Sequence, residues 1–152
     1  MRHDSRLPRV LHALLHLEQM AGPATSDMLA TMLGTNASVV RRTMGGLREA
    51  GIVAASKGHG GGWTLARPLA GISLLDIYTA LGSPALFAIG SDDDDTTCQL
   101  ARAANRATLD ALAQARQHFE QQLAGISVAD LTRDWTPDGT GHAHPHGARH
   151  QH

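Results

Sequence analysis

Residues Ala37 to Arg67 read ASVVRRTMGGLREAGIVAASKGHGGGWTLAR, and few folds accommodate that order of signals. Ala37 to Ala50 has helical spacing, with Val40, Met44 and Leu47 on one side and Gly51 as its stop. Ile52 to Ala55 and Trp63 to Ala66 are short apolar runs that read as two strands. Between them lies Ser56-Lys57-Gly58-His59-Gly60-Gly61-Gly62, a tip with four glycines and two cationic side chains. A core has no use for such a tip. Glycines let a backbone approach a ligand closely, and Lys57 and His59 suit phosphate or a narrow groove. No Gly-Lys-Ser/Thr sequence opens a helix here, so a nucleotide-binding loop is a poor fit.

The segment upstream supports the same architecture. Leu7 to Gln19 has a helical apolar stripe, with Asp4 or Ser5 as cap and Gly22-Pro23 as stop. His12 and His16 lie one turn apart, which is also metal-ligand spacing. With no third ligand near them in sequence, they read as packing or surface histidines. Thr25 or Ser26 caps a short helix from Asp27 to Leu33, and Gly34-Thr35-Asn36 turns the chain into the next. A short helix, a glycine turn and a longer helix form a helix-turn-helix. With the basic hairpin it becomes a winged helix. In such a helix the first turns reach base edges. Ser38, Val39, Arg41 and Arg42 occupy them here: Arg suits guanine, Ser a base or phosphate, and a Val methyl a thymine methyl. Gly45-Gly46 costs about 1 kcal/mol per residue against Ala, which close packing on a helix or on DNA would justify.

Charge is distributed to match. Residues 1–70 hold eight Lys/Arg against four acids, +4, and residues 71–152 hold five against ten, -5. The positive half points to an anionic partner, nucleic acid foremost.

Ser73 to Asp76 is a capping-box-like start, with Asp for the usual Glu, to a helix reaching Leu81 and burying Leu74, Ile77, Tyr78 and Leu81. Leu86 to Ile89 reads as extended, and GSDDDDTT from Gly90 to Thr97 as a solvated loop without calcium-loop spacing. A helix of roughly 28 residues, about 40 Å, then runs from Thr97 to Ala124. It outreaches the N-terminal unit, and a second copy is its natural cover. Ser127 starts a last short helix, with Leu131 and Trp135 expected to pack down.

The stretch GIVAASKGHGGGWTLARP resembles the wing signature of the Rrf-two family of bacterial transcription regulators. The family pattern, G-[IL]-V-x-S-x-x-G-x-x-G-G-[YWF]-x-L-A, is matched from Gly51 to Ala66, with Ala55 where serine is usual. MRHDSRLPRVLHALLHL also resembles the family's first helix, and Gly125 to Asp134 its closing segment. The resemblance covers about residues 1–135. It implies a homodimer on a palindrome-like double-stranded operator. Its recognition contacts fall on Ser38, Arg41 and Arg42, and its wing contacts on Lys57, Gly58 and His59. Cluster-binding members hold iron and sulfur with three cysteines near the start of the long helix.

This chain has one, Cys98. No cofactor is therefore expected, an iron–sulfur cluster least of all. Cys98 remains open as an inert thiol, a redox-reactive thiol favoured by the helix start, or half of a disulfide between two copies.

The sequence thus predicts a mainly α fold with a small β-hairpin wing. Residues 1–82 form the winged helix-turn-helix, 83–135 the linker and dimerisation helix, and 136–152 a disordered tail. The expected function is a sequence-specific regulator of transcription, a repressor in the first instance with activation left open, and not an enzyme. No signal peptide or membrane span stands out, so the cytoplasm is the expected location. The alternative is a protein-interaction or metal-binding module on the same scaffold. Its metal site would be the tail histidines His142, His144, His146, His150 and His152.

Overall fold

The computed structural model describes residues 4–85 and 98–133. The apolar run at Leu86, the aspartate run, Trp135 and the histidine tail lie outside them.

Helix α1 (Arg6–Gln19) buries Val10, Ala13, Leu14 and Leu17 on one stripe. It ends before the expected Gly22-Pro23, because Met20 is already extended. Helix α2 (Ser26–Leu33) starts where the Thr25 hydroxyl accepts from the Met28 amide at 3.1 Å. It stops at Gly34, whose φ of 63° is left-handed. Helix α3 (Ala37–Glu49) is capped by Asn36, whose Oδ1 accepts from the Val39 amide at 3.0 Å. As the spacing requires, its buried residues are Val40, Met44 and Leu47.

Strands β1 (Val53–Ser56) and β2 (Gly62–Leu65) pair antiparallel, with Ala55 opposite Trp63 and Ser56 opposite Gly62. A 3-10 turn at Leu69–Gly71 leads to α4 (Leu74–Ala80). The Ser73 and Asp76 side chains form the full reciprocal capping box there. Leu74, Ile77 and Tyr78 are buried, while Leu81 is partly buried against the core.

Helix α5 (Gln99–Ala124) has no buried residue. Its far end meets α4 through Phe119, which sits edge-on to Tyr78 at 5.3 Å between ring centres. The chain then returns to the first unit. The Leu74 amide donates to the Ile126 carbonyl at 2.9 Å, and the Val128 amide to the Ile72 carbonyl at 2.8 Å. Helix α6 (Val128–Thr132) follows, and Val128 joins the same core as Leu14, Leu29, Leu47, Ile52 and Ile77. Val128 does the packing expected of Leu131, which is 39% exposed.

Candidate nucleic-acid interface

The outward side of α3 is built by subtraction. With Val40, Met44 and Leu47 in the core, helical spacing puts Ser38, Arg42, Gly45 and Glu49 in one outer row. Arg41 and Arg48 lie beside it. Ser38, Arg41 and Arg42 are exposed. Neither arginine makes a hydrogen bond or ion pair to another described residue. Val39 differs: it is half-buried on the flank of α3 and lines a small apolar pocket with Val10, Ala13 and Leu33. Arg48 was not among the residues singled out from sequence, although its spacing of seven from Arg41 was the available signal.

The two glycines of α3 have different surroundings. A Cβ on Gly46 would stand 3.3 Å from the Ala80 carbonyl of α4, so close packing explains that glycine. A Cβ on Gly45 would meet nothing within 4 Å. Gly45→Ala is therefore expected to raise stability by about 0.5–1 kcal/mol. Gly46→Ala is expected to forfeit that gain against the Ala80 backbone. Urea denaturation of the two variants checks the contrast.

The wing is held from below and open above. The Trp63 amide donates to the Ala24 carbonyl at 2.8 Å, and the Ala24 amide to the Trp63 carbonyl at 3.0 Å. The Trp63 indole Nε1 donates to Ser26 Oγ at 3.0 Å. These bonds fix β2 to the start of α2. Gly62 permits the approach: a Cβ there would fall 2.5 Å from the Ala24 carbonyl oxygen. Arg67 ties the wing's exit instead of serving an outside ligand. Its Nε donates to the Gly51 carbonyl and its Nη1 to the Gly71 carbonyl, each at 3.2 Å. At the tip the Gly61 amide donates to the Gly58 carbonyl at 3.0 Å. Lys57, Gly58 and His59 are exposed there.

Cys98 lies at the N-cap of α5, and its thiol is exposed. The backbone amides of Ala101 and then Leu100 push its pKa below the usual thiol range. The groove beside it is lined by Gln99, Arg102 and Arg106.

A helix-turn-helix whose second helix presents exposed arginines without a partner among the described residues, followed by a basic glycine hairpin, defines a winged-helix DNA-binding regulator of transcription. The Rrf2 sequence profile, described as iron-dependent transcriptional regulator, matches residues 3–134, and this chain belongs to that family. YwnA of Bacillus subtilis strain 168, assigned by name as a helix-turn-helix transcriptional regulator, is 30% identical over 129 residues, 84% of this chain and 95% of that protein. Two solved structures share the fold. A regulator from Lactobacillus plantarum superposes with a TM-score of 0.72 at 22% identity, over 85% of this chain and 88% of its own. CymR, the global cysteine regulator of B. subtilis, gives 0.62 at 17% identity, over 90% of this chain and 99% of its own. Among the described residues, no helix is long and apolar enough to cross a membrane.

The family description invokes iron, and the donors here do not suit a thiolate-held centre. The chain has one cysteine, and the described residues hold no group of three or more His, Cys, Asp or Glu able to share an ion.

Proposed function

We propose that two copies of this chain bind a two-fold operator and repress transcription. In this reading Ser38, Arg41 and Arg42 of α3 face base edges, with Val39 at the margin. Lys57, Gly58 and His59 of the wing lie along the backbone or minor groove. The observation that carries the proposal is the outer face of α3, where exposed Arg41 and Arg42 have no partner among the described residues. Base-edge contacts give sequence choice, while phosphate contacts by the wing give salt-sensitive affinity.

Gly45 lies mid-row on that face, with room for a Cβ but none present. A nucleic-acid backbone or base edge close to the helix accounts for the missing side chain. Gly45→Ala is then expected to weaken operator binding while it stabilises the fold.

The dimer is supported by α5. Its 26 residues extend about 39 Å, none is buried, and Leu100 and Leu109 are 79% and 49% exposed. A second α5 covers them and sets the two recognition helices about 34 Å apart, one turn of duplex.

Cys98, at the end of α5 opposite its contact with α4, supplies a redox input. Two Cys98 thiols, one from each copy, yield two electrons and two protons to a peroxide, which leaves as water, and a disulfide forms. Fluorescence anisotropy on DNA upstream of the protein's own gene tests the function and its input together. Tight, salt-sensitive binding that is lost with peroxide in the wild type and kept in Cys98→Ser supports both. Binding indifferent to peroxide removes Cys98 as the input and leaves the regulator.

A further inference from the structure

One cluster is unused by the DNA-facing reading. His12 and His16 project from successive turns of α1, beginning at its middle, with ring centres 4.5 Å apart and planes tilted by 41°. Their Nε2 atoms face each other at 2.9 Å. His12 is exposed and His16 half-buried, so the pair opens to solvent while the opposite stripe of α1 holds Val10, Leu14 and Leu17 in the core.

As a hydrogen bond, this contact needs one ring protonated at Nε2 and the other offering its Nε2 lone pair. A shift of that one proton to Nδ1 of its own ring leaves two lone pairs converging on one point. An ion about 2.0–2.1 Å from each nitrogen, across the 2.9 Å gap, subtends an angle of about 90°. The tetrahedral angle would need the nitrogens about 3.4 Å apart at the same bond length. A right angle is the cis angle of square-planar and tetragonal ions.

We infer that His12 and His16 form a two-nitrogen site for a tetragonal divalent ion of the copper(II) and nickel(II) class, with water in the remaining positions. The site uses neither Cys98 nor any of the DNA-facing side chains. Its ligands sit at this spacing only while α1 is helical, so the ion favours the folded chain over the unfolded one.

That linkage provides the test. The full-length protein is prepared with His142, His144, His146, His150 and His152 changed to Gln, which removes the competing donors of the tail. Thermal unfolding is followed with and without nickel(II) chloride, in this background and with His12→Gln or His16→Gln added. Nickel at about a hundred times its dissociation constant is expected to raise Tm by on the order of 5 °C. Either His→Gln change should abolish the rise, and zinc(II) at equal concentration should give a smaller one. His12 is exposed, so His12→Gln keeps a metal-free Tm near that of the parent. Titration calorimetry should show one nickel per chain, bound at least about a hundredfold more weakly once either histidine is lost. No Tm rise in the parent, or a rise that survives both substitutions, overturns the site.

Discussion

Trp63→Ala is expected to lower the unfolding free energy by about 3–5 kcal/mol, a large share of the stability of a domain this size. Trp63 is 9% exposed, belongs to the main core cluster, and reaches Ser26 at the start of α2 with its indole nitrogen. Alanine leaves a cavity and orphans the Ser26 hydroxyl that now accepts from the indole at 3.0 Å. Trp63→Phe keeps much of the volume and loses that bond, for a smaller expected loss of about 1–2 kcal/mol. Urea denaturation of the three proteins measures the difference. Because the same residue fixes β2 to Ala24, any Trp63→Ala protein that remains folded should also present a poorly placed wing.

The second large effect concerns recognition. Arg41→Ala is expected to weaken binding to the preferred operator by about 30-fold or more, because each of the two copies loses one bidentate Arg–guanine contact worth about 1–3 kcal/mol. Binding to unrelated DNA should fall much less, so the ratio between the two collapses. Lys57→Ala should instead weaken all sequences alike and reduce the slope of log K against log salt by about 2, one contact being lost from each copy. Anisotropy across a salt series separates the two. Equal losses on both kinds of DNA for Arg41→Ala would place it on phosphate. No loss from either change would remove this face from the interface.

Much of the fold was legible because its signals are local. Thr25 and the Ser73–Asp76 box cap helices within four residues of themselves, and the outer face of α3 follows from a period of 3.6. What was not legible depends on distance along the chain. Nothing near Trp63 announces that it bridges Ala24 and reaches Ser26, 37 residues away. Nothing near Val128 announces its bond to Ile72. A helical pattern at the C-terminus made Leu131 as good a core candidate as Val128, and only the strand-like bridge of Ser127 to Ser73 decides between them. The candidate interface divided likewise. Arg41 and Arg42 could be placed outward from spacing alone, whereas Val39 turned partly inward because α1 packs beside it. The two adjacent glycines became distinguishable only when Ala80 was found against one of them.

The most direct measurement of the central claim is selection of binding sites from random duplex DNA by the reduced full-length protein. The account predicts an enriched inverted repeat whose half-site centres lie about one helical turn, 10–10.5 base pairs, or a whole multiple of it, apart. The enrichment should be lost in Arg41→Ala and retained, at weaker affinity, in Lys57→Ala. Recovery of no motif, or of one that Arg41→Ala selects equally well, would contradict base reading by α3.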